Sequence, residues 1–445
     1  MEGHGGGGGR RPRARDLLRG APGLQIALLA RERGGAAGAT LLPLQRARLA
    51  SLTLSPTTEL VSDAGCARGE VLWLDLDAAE QRYLLAAAGD GAIEVYDVQA
   101  RGLGDANAGS GHTRRRLAPV GSVRQRSRPE SAHRFAATCV AWYPVDTGMF
   151  VSGSADKTLR LWDTNTLDAV CVFQCDERIS CCAMSPIARA HCLVAAGGEG
   201  RAVRLADPAT GAFSHLLTGH RDPVLSVAWS LGSEHQLLSG DAGGEVRLWD
   251  VRRPGSRALL DLDATTRPRG GGGARKRRRG GAGGADSARR AVAHDGGVTS
   301  ILPTPDGLHW VTGGRDGRLR LWDAGDHTHL LVHYAAPAAP PRRPVRLAAT
   351  EDGRALFQPC GAGVYDVSTG AVLARLRQGH FEPVTAAAWS PLTQQLYTSA
   401  SDGAVLAWAP RGAPAVEDEE LWEWRRARAA PDWAALDEDD WSDGY

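Results

Sequence analysis

The stretch His133–Asp163, HRFAATCVAWYPVDTGMFVSGSADKTLRLWD, is the unit that the rest of the chain repeats. After its opening His comes a half-alternating apolar segment, Cys139-Val140-Ala141-Trp142, then a turn containing Pro144 and a second run, Met149-Phe150-Val151-Ser152. A Ser-Ala-Asp-Lys turn leads into Thr158-Leu159-Arg160-Leu161-Trp162-Asp163, whose side chains alternate with the period of a strand. Short runs of this kind, split by Gly, Pro and Asp turns, predict an antiparallel sheet.

The polar residues of the unit have a physical task. Asp156 can accept from His133, which can donate on to Ser152, which can reach the indole N–H of Trp162. A buried indole needs an acceptor, and a satisfied buried chain pins one geometry. The same set recurs as His294, Thr312, Asp316 and Trp322, and as His380, Thr398, Asp402 and Trp408. Ser, His and Asp together also suggest a hydrolase. A catalytic triad is needed once, however, and a structural one in every repeat. The expectation is a structural tetrad and no enzyme.

Strand-ending pairs fall at Tyr96-Asp97, Trp162-Asp163, Ala206-Asp207, Trp249-Asp250, Trp322-Asp323, Tyr365-Asp366 and Trp408-Ala409. Their successive separations are 66, 44, 43, 73, 43 and 43 residues. Four of these equal one period of a four-stranded WD-repeat blade, and the two long ones are a period plus an insertion, at about 101–130 and 252–290. The count predicts an all-β, seven-bladed WD40 propeller over 46–410. Some blades are degenerate. The third has Glu199 in the turn and Ala206 in place of Trp, the sixth keeps only Tyr365-Asp366, and the fourth has Gly243 where the turn acid is expected. No complete outer strand follows Trp408, so the alternating Leu49-Ala50-Ser51-Leu52-Thr53-Leu54 is the natural strand to close the ring and remove its free edges.

The formal net charge of +1 gives no global field for nucleic acid or membrane. No apolar run approaches a membrane span, and MEGHGGGGGRRPRARD lacks a signal-peptide core, so a soluble intracellular protein is expected. The eight Cys show no paired spacing with His, which favours reduced thiols over zinc; neither metal nor cofactor is expected. Residues 1–22 are Gly/Arg-rich and expected to be disordered. Residues 23–45 contain a helix-capable segment, LQIALLARER over 24–33, suited either to a partner groove or to packing on the propeller. Arg275-Lys276-Arg277-Arg278-Arg279 is a candidate nuclear-import patch or a solvated loop. The tail 411–445 is acidic, with Trp422, Trp424, Trp433 and Trp441 suited to docking on a partner or folding back.

Beyond Trp-Asp, several runs resemble the Cockayne syndrome A family. These are Trp142-Tyr143-Pro144, Asp146-Thr147-Gly148-Met149-Phe150, Asp156-Lys157-Thr158-Leu159 and Trp162-Asp163-Thr164-Asn165-Thr166-Leu167. His191-Cys192-Leu193-Val194-Ala195, Gly219-His220-Arg221, Trp249-Asp250-Val251-Arg252-Arg253 and Asp306-Gly307-Leu308-His309 follow in the same order. A propeller demands none of these matches. The insertions look foreign to the family. The resemblance implies a nuclear, non-catalytic substrate receptor of a cullin-4 RING ubiquitin ligase, acting in transcription-coupled nucleotide excision repair. It implies docking on the ligase's DNA-damage-binding adaptor, and partnership with cullin-4, the RING subunit, RNA polymerase II, the Cockayne syndrome B ATPase and UV-stimulated scaffold protein A. The adaptor-binding residues it implies are Leu24, Ile26, Leu28 and Leu29 on the helical segment, and Trp249, Asp250 and Arg252 in the one Trp-Asp-x-Arg box. An Arg at that position suits bidentate capture of a partner carboxylate, or pairing within its own loop. The alternative from another class is a scaffold that binds nucleic acid through basic residues in 114–128 and 275–279. Sequence-specific DNA contact and membrane binding are not expected.

Overall fold

The links between neighbouring strands are too short for a crossover, so each repeat folds as an antiparallel meander. The computed structural model describes residues 45–61, 69–100, 103–104, 115–253, 255–262, 291–337, 340–361, 363–376 and 379–411. The described residues divide into two units, Leu54–Trp408 and a smaller one that holds 45–53 and 409–411.

The larger unit is a seven-bladed β-propeller. After β1 (Leu52–Leu60), the first blade runs β2 (Val71–Leu76), β3 (Tyr83–Ala88) and β4 (Ile93–Asp97), and is completed by β7 (Pro119–Val123) beyond the short β5 (Leu103–Gly104) and β6 (Arg115–Leu117). The second is β8 (Ala137–Trp142), β9 (Met149–Ser154), β10 (Thr158–Asp163) and β11 (Ala169–Gln174). The third is β12 (Ile179–Met184), β13 (Val194–Gly198), β14 (Ala202–Asp207) and β15 (Ala212–Thr218). The fourth is β16 (Val224–Trp229), β17 (Gln236–Asp241), β18 (Val246–Asp250) and β19 (Ser256–Leu260). Three strands make the fifth, β20 (Val298–Pro303), β21 (His309–Gly314) and β22 (Leu319–Asp323). The sixth is β23 (Ala348–Ala349), β24 (Ala355–Gln358), β25 (Gly363–Asp366) and β26 (Val372–Arg375), and the seventh β27 (Val384–Ser390), β28 (Gln395–Ala400) and β29 (Val405–Pro410).

In the last blade β1 stands beside β29 and supplies the outer strand. It begins at Leu52 rather than Leu49, because residues 45–50 form a helical turn. That turn is closed by the Ser51 N–H on the Ala47 carbonyl at 3.0 Å. In the same smaller unit the Arg411 N–H donates to the Ser51 carbonyl at 3.1 Å. The first insertion adds structure to the seventh blade: β6 pairs in parallel with β1, Leu60 opposite Leu117, and β5 pairs with β6. The fifth blade departs from four strands. Its outer strand shrinks to the bridge Trp322–His329, because Leu331 turns left-handed (φ 57°) and a strand cannot pass through that conformation.

Neighbouring blades are stitched near the starts of their innermost strands. A register shift near the start of β8, β16 and β27 accompanies a side-chain hydroxyl that donates to the next blade. Thr138 reaches the Ile179 carbonyl (2.8 Å), Ser226 that of Val298 (3.0 Å) and Thr385 that of Val71 (2.6 Å). The last bond joins blade seven to blade one. That seam has its own core, in which Val71, Leu74 and Tyr96 pack with Ala386, Tyr397 and Val405. Close approach also explains a repeated glycine. A Cβ on Gly153, Gly197 or Gly240 would lie 2.6 Å from Ile179, Val224 or Val298 of the following blade.

Candidate functional site

The tight turn between the second and third strands of a blade lies at the same end as the entry from the preceding blade. The tetrads are built at this face. His133 Nδ1 lies 2.9 Å from Asp156, its Nε2 2.6 Å from Ser152 Oγ, and the Trp162 indole N–H donates to the same Oγ at 2.7 Å. The fifth blade repeats this with Asp316 and Thr312 at 3.1 and 2.8 Å from His294, and Trp322 at 2.9 Å from Thr312. In the seventh, Asp402 and Thr398 lie 3.3 and 2.8 Å from His380, and Trp408 lies 2.7 Å from Thr398.

One hydrogen bond of the tetrad runs opposite to the direction that the sequence suggests. Burial lowers the pKa of His133, against its hydrogen bond to Asp156, so the imidazole is neutral and has one N–H. With that proton on Nδ1 facing Asp156, Nε2 accepts from the Ser152 hydroxyl instead of donating to it. Burial acts to raise the Asp156 carboxyl, but donation from His133 and Thr158 outweighs this and holds it well below the usual range. The balance is the same in His294 and Asp316.

The fourth blade also holds a full set, which corrects the reading that it lacks the acid. Asp241, not residue 243, supplies the carboxylate: Oδ2 lies 3.1 Å from His220 Nδ1, and His220 Nε2 is 2.6 Å from Ser239 Oγ. Trp249 donates to that Oγ at 2.7 Å. Asp241 Oδ1 accepts the Gly243 and Glu245 N–H groups at 2.9 Å each, so it also secures the turn. Two degenerate blades satisfy a Tyr instead of a Trp. Tyr96 donates to Glu94, which Arg124 also engages, and Tyr365 donates to the Ala335 carbonyl at 3.1 Å. A Tyr in the Trp position was the available signal for both.

Stability should therefore depend on pH in a definite direction. His133, His294 and His380 all have lowered pKa values because they are buried. Below about pH 6.5 the unfolded chain binds protons at these sites more readily than the fold, so their contribution is full above that value and lost progressively as pH falls. The depressed carboxyls of Asp156 and Asp316 add a second loss below about pH 4. Thermal unfolding between about pH 7.5 and 5.5 should show a falling midpoint; a midpoint that rises on acidification would contradict neutral buried imidazoles.

At the opposite face, β18 ends in the Trp249-Asp250-Val251-Arg252 turn. Trp249 is fully buried and Asp250 nearly so. In the folded propeller these two position Arg252 and present almost no surface to a partner. Arg252 Nε and Nη2 donate to the two carboxylate oxygens of Asp250 at 3.0 and 2.9 Å, so its bidentate fork is closed on its own loop. That pair holds the Asp250 pKa at about 2. The Arg252 side chain is nevertheless 58% exposed, and its Nη1 makes no hydrogen bond among the described residues.

This turn is part of a knit rim. The Val251 N–H donates to the His235 carbonyl at 3.0 Å, which sets Glu234 beside it in sequence. Glu234 accepts from Arg189 N and Ala190 N of the third blade at 2.9 and 3.3 Å, and His191 Nε2 lies 2.8 Å from the Glu234 carbonyl. A cavity of about 440 Å³ opens among the seven innermost strands, lined by Trp73, Trp142, Trp229 and Trp389. There Asp75 accepts the Trp142 N–H at 2.8 Å and pairs with Arg346.

Leu24, Ile26, Leu28, Leu29 and the run Arg275, Lys276, Arg277, Arg278, Arg279 lie outside the described residues, as does the tail from residue 412. Within 114–128, Arg124 is bound to Glu94, and Arg128 is spent on the Thr166 and Leu167 carbonyls and Asp168.

The family model "WD domain, G-beta repeat" matches residues 126–163, 211–250, 288–323 and 371–409, the four blades that hold tetrads. WD repeat-containing protein ATCSA-1 of Arabidopsis thaliana is 34% identical over 89% of this chain and 94% of its own length. The chain belongs to the Cockayne syndrome A family of WD-repeat proteins. Partial likenesses to other proteins are weaker. Radiation-sensitive protein 28 of Saccharomyces cerevisiae is 30% identical over 43% of this chain and 38% of that one. Ribosome biogenesis protein YTM1 of Chaetomium thermophilum is 29% identical over 48% of this chain and 45% of its own. For a Cockayne syndrome A-type protein the His–Asp sets are parts of the scaffold, since each is tied to the Trp of its own blade.

Proposed function

We propose that this chain is the substrate-recognition subunit of a cullin-4 RING ubiquitin ligase in the nucleus, acting in transcription-coupled nucleotide excision repair. The observation that carries the reading is the near full-length match to ATCSA-1. The name of the yeast relative, Radiation-sensitive protein 28, agrees with a repair role. The propeller docks on the DNA-damage-binding adaptor of the ligase, through residues 24–33 and the outward edge of Arg252. It engages stalled RNA polymerase II together with the Cockayne syndrome B ATPase and UV-stimulated scaffold protein A. Such a receptor has no catalytic residues of its own. Holding a client beside cullin-4 and the RING subunit raises the effective concentration of its lysines near the charged conjugating enzyme.

Because Asp250 already occupies the Arg252 fork, Arg252 adds one charged edge to docking and not a full bidentate clamp. Pull-down of the purified adaptor by the full chain should be stoichiometric. It should be lost on deleting residues 24–33 and weakened about tenfold by Arg252→Ala. No capture by a folded full chain would overturn the reading.

A further inference from the structure

At the tetrad face, the residue after each tetrad His is Arg134, Arg221, Asp295 or Phe381. Three are charged and one is a phenylalanine. Phe381 is 97% exposed, by far the most open large apolar side chain among the described residues. It is also held in place. Its backbone N–H donates to the tetrad carboxylate Asp402 at 3.2 Å, as Arg134 N–H does to Asp156 and Asp295 N–H to Asp316. A loop anchored this way presents the ring to solvent without a cost in backbone ordering when something binds.

The tetrad face also carries a basic arc. Arg315 and Arg318 flank the turn between β21 and β22, and a Cβ on Gly317 of that turn would touch Pro340 at 3.6 Å. Arg342 follows Pro340 after one further residue. All three arginines are exposed, and their guanidinium groups make no hydrogen bond or ion pair among the described residues. The next residue, Arg343, crosses to Glu70 at the start of the first blade, and Thr385 bonds Val71 beside it. These arginines thus share the tetrad face with Phe381, and Arg343 ties their segment, through Glu70 and Val71, to the β27 start that follows Phe381.

We propose that Arg315, Arg318, Arg342 and Phe381 form a docking surface for an acidic peptide segment of a protein partner, with an apolar residue seated on Phe381. Charge complementarity identifies the segment: free guanidinium forks seek carboxylates, and a rigid aromatic supplies the anchor. A nucleic acid backbone fits less well. Asp295 and Glu382 interrupt the arc, and a continuous line of phosphates would have to pass over them. The inference rests on the receptor reading only in taking that partner to be the receptor's client.

A random-peptide phage selection on the full chain tests it. Acidic peptides sharing an apolar position should be enriched, and their affinity should fall about tenfold with Phe381→Ser and with Arg315→Glu, Arg318→Glu and Arg342→Glu combined. Phe381→Ser should leave the melting temperature unchanged, since the side chain is exposed. No enrichment, or peptides captured equally by Phe381→Ser, would overturn the proposal. So would binding of a single-stranded DNA oligonucleotide that depends on the arginines and not on Phe381. Adaptor capture by the same variants should match the unaltered chain, because the Arg252 turn lies on the opposite face. Loss of adaptor binding by the unaltered chain would remove the receptor reading; Phe381-independent peptide capture would remove this one.

Discussion

Asp241→Ala is expected to lower the stability of the propeller by about 3 kcal/mol, and adding Gly243→Asp to recover most of that loss. The single change takes the acceptor from three donors at once: the His220 imidazole and the Gly243 and Glu245 N–H groups. His220 is buried in the tetrad, so its unmet N–H bears a desolvation cost. The double variant would restore the arrangement of the other tetrad blades. There the position of Asp241 is held by Ser154, Gly314 or Ala400, and the acid sits two residues on, at Asp156, Asp316 or Asp402. The turn lengths are equal, and the residue after the acid is left-handed in each: Lys157 (68°), Gly317 (70°) and Gly403 (76°), with Gly244 at 88° in the fourth blade. Equilibrium denaturation of the two variants decides the matter. A double variant no more stable than Asp241→Ala would mean that the two positions are not equivalent.

Arg346→Met should cost about 3 kcal/mol, whereas Asp75→Asn should cost under about 1 kcal/mol. Burial is the largest influence on Asp75 and raises its pKa against the lowering effects of Arg346 and the Trp142 N–H. Its ionised form therefore relies on Arg346. Removing the arginine strands a buried carboxylate between Trp73 and Trp142, while Arg346 left alone is one-third exposed and can turn to water. The sign in pH follows. A raised folded value makes Asp75 favour the fold below the unfolded pKa of about 3.9 and act against it as pH rises through the folded value. Asp75→Asn should thus lose part of the neutral-pH cost that the carboxylate carries. Equal losses from the two substitutions, measured by urea denaturation, would show that the burial of Asp75 does not control the pair.

The seven third strands lie where the repeat puts them: five end in Trp-Asp or Tyr-Asp, which joins a buried aromatic to a capped turn, and Ala206-Asp207 and Trp408-Ala409 each keep one half of that pair and fall on the same period. Family membership was legible for a related reason: runs such as Asp146-Thr147-Gly148-Met149-Phe150 are not required by a propeller, so their presence carries information. The docking turn was legible as a pattern and not as a geometry. Nothing in Trp249-Asp250-Val251-Arg252 says that the fork closes on Asp250, since that depends on how far the turn brings the two side chains together.

What the amino-acid order determines here is what repeats: strand period, turn chemistry, the His, Ser or Thr, Asp and Trp of three tetrads, and the blade count. Only the tertiary structure decided what depends on groups distant in sequence or on a shift of register. It supplied the fourth tetrad through Asp241, which a fixed spacing cannot find because a carboxylate two residues earlier reaches the same imidazole. It set β6 against β1, since a parallel pairing across 55 or more residues leaves no local signature. It also exposed Phe381. A Phe beside a tetrad His looks like core in a sequence; holding its backbone on Asp402 turns it to solvent.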